Sequence, residues 1–216
     1  KKNIWIGTND GLFMYSNGVI TDVKYANAMK QSEIDFSIFC IIEDKNNDIW
    51  AGTEHGVLKL EKGNVTYFND KNNFISRRIS SAVMDGNKNL WFGTEEGLYS
   101  YDYKSFSKIS QRNGLSSNNI WFIQTDNHNR LIIGLNTGID MLNLTSFYNK
   151  KISIQHFGKD DGLLSLENNF NASYKDKDGR ILIGTISGLE IYDPKFDKKN
   201  SIEAITSISQ VKLFFG

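Results

Sequence analysis

A nine-residue pattern recurs five times in this chain without a gap: Ile4-Trp-Ile-Gly-Thr-Asn-Asp-Gly-Leu12, Ile49-Trp-Ala-Gly-Thr-Glu-His-Gly-Val57, Leu90-Trp-Phe-Gly-Thr-Glu-Glu-Gly-Leu98, Leu131-Ile-Ile-Gly-Leu-Asn-Thr-Gly-Ile139 and Ile181-Leu-Ile-Gly-Thr-Ile-Ser-Gly-Leu189. The first glycine is Gly7, Gly52, Gly93, Gly134 or Gly184, and the second follows four residues later at Gly11, Gly56, Gly97, Gly138 or Gly188. Six residues before Trp50 and Trp91, and before their aliphatic replacements Ile132 and Leu182, stands an aspartate: Asp44, Asp85, Asp126 or Asp176. A fixed period of roughly 40–50 residues means one supersecondary unit repeated, each unit burying its apolar face against the next.

The polar residues between each Asp and the next strand predict a hairpin turn. Outward from that turn the unit reads as a strand ending at the Asp (37–43, 79–84, 120–125, 170–175), a second running into Gly-Thr, a third starting at the second glycine, and a fourth, weaker one (65–68, 107–109, 152–157). No stripe of 3.6-residue period offers a helical alternative. The expected fold is all-β: a fragment of a β-propeller made of four-stranded antiparallel blades, about five blades' worth, over residues 1–197. The first unit lacks its Asp and innermost strand, so the propeller is expected to be incomplete at the N-terminus. Residues 198–216 read either as a strand that pairs with the propeller or as the start of a following module.

Composition fits many short strands: 27 aromatic residues, 18 Gly and one Pro. Positive φ is expected at the glycines of the Gly-Thr-x-x-Gly link, Gly52 and Gly93 included, because that link must reverse the chain. Trp5, Trp50 and Trp91 read as packing residues between blades, and each Asp as a cap on its own turn. Twenty-five basic and twenty-five acidic residues leave no overall footprint for nucleic acid. The lone Cys40 forms no intrachain disulfide, and the longest apolar run, 38–42, is far shorter than a bilayer span.

The pattern Asp-x-x-x-x-[Ile/Leu]-Trp-x-Gly-Thr-x-x-Gly-Leu resembles the two-component regulator propeller repeat, as do the lead-in segments 114–120 and 162–170. Leu135 for Thr, and Ile132 and Leu182 for Trp, depart from it. The resemblance implies a periplasmic, non-catalytic sensor region of a hybrid two-component histidine kinase. It further implies an oligosaccharide ligand derived from glycans, self-association of the receptor, no cofactor, and membrane attachment only through the remainder of such a protein. For residues 198–216 it implies the start of a following immunoglobulin-like module. The alternative is a propeller lyase of the streptogramin-lyase type, which needs a metal and a catalytic histidine.

Chemistry-bearing motifs are sparse. Asp44–Asp48 and Asp176–Gly179 open like calcium loops, but position twelve holds His55 or Ser187 rather than Glu. The three histidines lie in different units without ligand spacing, and neither a nucleophile elbow nor a phosphate loop occurs. Propellers present ligands on the face built by the loops into the innermost strands and between strands two and three. Here those loops carry the candidate ligand-binding residues Arg77, Arg78, Asn118, Asn119, Glu167, Asn168 and Asn169, beside Glu54, His55, Glu95 and Glu96. Arginine and asparagine suit the carboxylate and hydroxyl groups of an acidic sugar.

Overall fold

The computed structural model describes residues 3–23, 37–69 and 78–197. Five antiparallel sheets follow one another along the chain. Sheet A holds β1 (Ile4–Thr8), β2 (Gly11–Ser16) and β3 (Val19–Asp22). Sheet B holds β4 (Cys40–Glu43), β5 (Ile49–Gly52), β6 (Val57–Glu61) and β7 (Asn64–Phe68), and sheet C holds β8 (Ile79–Met84), β9 (Leu90–Thr94), β10 (Gly97–Tyr101) and β11 (Phe106–Ile109). Sheet D holds β12 (Ile120–Thr125), β13 (Arg130–Leu135), β14 (Gly138–Asn143) and β15 (Ile154–Phe157), with the short helix α1 (Leu144–Tyr148) between its last two strands. Sheet E holds β16 (Asn168–Lys175), β17 (Ile181–Thr185) and β18 (Gly188–Tyr192). Strand order is sequential in every sheet, which is the blade of a propeller. Among the described residues sheets A and E are three-stranded; residues 198–216 lie outside the described part.

Each core cluster lies between two consecutive blades. Leu12 with Ala51 and Leu58 joins A to B; Cys40, Trp50 and Val57 with Ile79, Leu90, Phe92 and Tyr99 join B to C. Trp91, Leu98 and Ile109 with Ile120, Ile123 and Leu131 join C to D, and Phe122, Ile132, Ile139 and Met141 with Ile181 and Ile183 join D to E. A middle blade is therefore covered on both faces, and its strands read as continuous apolar runs such as Leu90-Trp91-Phe92, all fully buried. Burial also pushes the Cys40 thiol up to about 12, which leaves it an inert packing group at neutral pH.

The two glycines of the repeat are required for different reasons. The second has positive φ, +155° at Gly56 and +123° at Gly97. The first does not, contrary to the expectation for Gly52 and Gly93. A Cβ on Gly52 would stand 2.6 Å from Cys40 Sγ and 2.8 Å from Ile79 Cβ, and one on Gly93 2.7 Å from Ile120 Cγ2. Glycine is required there because the inner strands of its own and the next blade press against the backbone. The same crowding holds at Gly7 and Gly184, and at Gly134 under the Phe122 ring.

The six-residue spacing from Asp to Trp has a side-chain cause. Asp44 Oδ1 accepts the backbone N–H groups of Asn46 and Asp48, while its Oδ2 accepts the indole N–H of Trp50 at 2.9 Å. Asp85 does the same with Trp91 at 2.7 Å and also accepts the Tyr148 hydroxyl from α1. In blades D and E, where the Trp is missing, an arginine four residues after the Asp takes over: Arg130 Nε donates to Asp126 Oδ2 at 2.6 Å, and Arg180 Nε to Asp176 Oδ2 at 2.7 Å. The second carboxylate oxygen, on a buried aspartate in three hairpins and a part-buried one in blade E, keeps a donor in all four.

The third departure is compensated as well. Thr53 and Thr94 each donate their hydroxyl to the carbonyl of the second glycine and accept an N–H two residues on. Leu135 has no hydroxyl. The amide of Asn168, reaching across from blade E, donates instead to Gly138 O at 2.9 Å and Leu135 O at 2.7 Å.

Candidate functional site

The innermost strands β4, β8, β12 and β16 lie next to one another, and three of them break register at the end where the chain enters. Ile79 pairs with Thr94 and Ser81 with Gly93, so Ser80 is passed over; likewise Trp121 between Ile120 and Phe122, and residues 169–172 between Asn168 and Ser173. Phe39 occupies the corresponding position just before β4, its N–H bonded to Gly52 O at 2.9 Å. Bulges re-aim side chains out of the ladder, and here they aim them at each other. The Phe39 and Phe170 rings meet edge-on at 5.6 Å, and Trp121 meets Phe170 at 6.3 Å. Asn171, in the left-handed region at φ 49°, donates its amide to Phe39 O at 3.3 Å. The Trp121 indole N–H is buried without a hydrogen-bond partner.

Arg78, one residue before β8, sits over this cluster, its guanidinium 5.2 Å from the Phe39 ring and 5.9 Å from that of Phe170. Its edges are held by two turns of the same face. Nε lies 3.0 Å and one Nη 3.4 Å from the Glu54 carboxylate, and the other Nη lies 3.5 Å from Glu95. The cluster thus joins blades B, C, D and E at the mouth of their common axis.

The other predicted residues divide by duty. Arg77 lies outside the described residues. Asn168 is buried and serves as the cross-blade clamp described above. Asn169 is exposed beside the aromatic cluster and donates to Thr185 O at 3.0 Å. Glu167 is exposed, its backbone closing a turn with Ser165. Asn118 and Asn119 lie in the lead-in of blade D, where Asn118 accepts the Gln111 N–H at 2.8 Å and the Asn119 N–H reaches Ser117 Oγ.

That lead-in is anchored by Asp140, which is fully buried. It accepts the Ser116 N–H at 2.8 Å, the Ser116 hydroxyl at 2.7 Å, and faces His156 Nδ1 at 2.8 Å. In blade E Glu190 accepts Leu164 N and Ser165 N in the same way. Serine, histidine and aspartate meet here, but Ser116 and Asp140 face the same imidazole nitrogen and the serine proton goes directly to Asp140. His156 does not relay a proton between them, so the arrangement is an anchor and not a nucleophile. Among the described residues no group of three or more His, Cys, Asp and Glu side chains is placed to share a metal ion.

Sequence reasoning missed Phe39, Trp121, Phe170 and Asn171. A bulged position carries no repeat letter, since Phe, Ser, Trp and the Phe-Asn pair all occupy it. One signal was available: of the four tryptophans, Trp121 alone falls outside the repeat register.

Comparison with known proteins agrees with this architecture. Residues 35–55 match the two-component regulator propeller family. A solved extracellular domain of a hybrid two component system from B. thetaiotaomicron, BT3049, superposes with a TM-score of 0.76 at 24% identity, over 89% of this chain and 26% of that one. PorZ, a surface component of the type-IX secretion system of Porphyromonas gingivalis, gives 0.61 at 19% identity over 87% of this chain and 30% of its own. Virginiamycin B lyase from Staphylococcus aureus gives 0.63 at 13% identity over 88% and 66%. No curated protein matches. The fold is a β-propeller, one stretch of it matches the two-component regulator propeller family, and the chain spans about a quarter of the length of the hybrid two component system domain it resembles.

Proposed function

We propose that this chain is part of the periplasmic, ligand-sensing region of a hybrid two-component histidine kinase, that it performs no catalysis, and that it binds oligosaccharides released from glycans at the axial mouth. The observation that carries the reading is the convergence of Phe39, Trp121 and Phe170, delivered by irregularities at one position of the inner strands, beside polar side chains and an indole N–H that lacks an acceptor. Aromatic faces pack against the C–H faces of sugar rings, and an unmatched buried donor is satisfied by a hydroxyl oxygen. Binding there acts on the receptor by favouring one arrangement of its self-associated form, since a ligand shifts an equilibrium only by its differential affinity for the two states.

The test is calorimetric titration of the chain with a panel of oligosaccharides, with Trp121→Ala beside it. Saturable binding that Trp121→Ala removes, while the melting temperature stays near that of the parent, is the expected result. Binding unchanged by that substitution removes the axial mouth as the site, and turnover of any glycan in the panel replaces the sensor reading with a propeller lyase.

A further inference from the structure

Resting on that sensor reading, we infer that the axial mouth selects uncharged oligosaccharides and rejects those bearing uronate carboxylates. The one described arginine at the mouth already has carboxylates along its donor edges and aromatic rings on one side. A guanidinium offers planar donors along its edges and two faces for stacking. Glu54 takes Nε and one Nη, Glu95 lies at the other Nη, and the rings of Phe39 and Phe170 pack against the guanidinium.

The charges around it point the same way. Arg78 contributes one positive charge and its two carboxylates two negative ones. The neighbouring Glu96 is matched by Lys108 at 3.6 Å, and Glu167 is exposed on the same face. Among the described residues the carboxylates at the mouth outnumber the arginine, so an incoming carboxylate reaches Arg78 by competing with Glu54 for a two-point contact or with Glu95 for the remaining Nη. A neutral sugar meets no such opposition. Its ring lies against the aromatic cluster, one of its oxygens accepts the Trp121 N–H, and its hydroxyls donate to Glu54 and Glu95, which Arg78 holds in place. Arg78 is thus a positioning residue, and the two glutamates set specificity.

Titration of the chain with neutral hexasaccharides of glucose, xylose and mannose, set against a hexamer of galacturonate, tests this. At least one neutral ligand is expected to bind at least tenfold more tightly than the galacturonate. In Glu54→Gln/Glu95→Gln, which removes both of these carboxylates from Arg78, that preference shrinks at least tenfold or inverts. Galacturonate binding as tightly as the best neutral ligand to the parent chain overturns the inference and leaves the sensor reading standing. Absence of saturable binding by either class to the parent overturns the sensor reading and this inference with it. The parent comparison decides even if the double variant fails to fold.

Discussion

Asp44 and its three relatives show why single letters of the repeat cannot be exchanged freely. Trp50→Phe keeps an aromatic ring at the blade interface but removes the donor to Asp44 Oδ2. A buried acceptor left short of a partner costs about 1–3 kcal/mol. Thermal melts are expected to show that loss for Trp50→Phe alone and a much smaller one in an Asp44→Ala background, because the bond is already gone there; additive losses would remove the bond from the account. The glycines separate by mechanism in the same assay. Gly52→Ala drives a methyl group into Cys40 and Ile79, an overpacking worth about 1–3 kcal/mol. Gly188→Ala meets no atom within 4 Å and bears only the strain of φ +130°, about 1 kcal/mol. A ranking with Gly188→Ala the worse of the two contradicts the close-packing explanation for the first glycine.

Hairpins and links decide how blades attach to one another. Asn168 supplies across the D–E interface what Leu135 cannot supply within blade D. Asn168→Ala is expected to cost about 1–2 kcal/mol, as two buried carbonyls lose a donor, and Leu135→Thr should recover part of it by restoring the hydroxyl found at Thr53 and Thr94. If Leu135→Thr gives no recovery, the two groups are not substitutes. The link after β18 is tied back to blade D in a second way, through Arg130 and Asp197, with the Tyr192 hydroxyl bonded to Asp197 at 2.9 Å. The Arg130 hydrogen bond holds the Asp197 carboxyl below its usual range. A depressed carboxylate stabilises the fold above its unfolded pKa and loses that contribution as pH falls through the folded value. Asp197→Asn should accordingly lower stability at neutral pH and flatten its fall in acid, and parallel acid-titration curves for variant and parent would show the pair to be inert.

The strands were legible in the sequence because a repeat averages its own noise: five copies of Gly-x-x-x-Gly, four of them opening Gly-Thr, and four of Asp with an aromatic or aliphatic residue six positions on fix the hairpins before any propensity is weighed. The inner strand over 79–84 and that over 120–125 were expected with the bounds they have. What stayed hidden belongs to contacts between copies. Nothing local tells Asn168 from a ligand-facing asparagine until Leu135, thirty-three residues away, is seen to lack a hydroxyl. The aromatic cluster was equally unreadable, since bulges shift residues out of the alternation on which pattern reading depends.

At the scale of the molecule, position matters more than sequence. The residue after the second glycine is apolar in all five blades, and in four it is buried by the next blade: Leu12 is 2% exposed, Val57 and Leu98 0%, Ile139 6%. Its counterpart in blade E, Leu189, is 61% exposed, with Ile191 on the same strand at 55%. The side chains are of one kind, so the difference lies in the absence of a sheet against blade E among the described residues. Exposed apolar groups that elsewhere in the fold form an interface favour association when the chain is isolated. Light scattering of the isolated chain is expected to give a mass above that of the monomer and rising with concentration. Leu189→Ser/Ile191→Ser should bring it toward the monomer with little change in melting temperature, because substitutions at exposed positions usually stay within about 0.5 kcal/mol. A parent chain that remains monodisperse and monomeric across the concentration range would mean that this face is covered in solution. An associated double variant would place the contact elsewhere, with the edge of β1 that pairs with no strand among the described residues the next surface to examine.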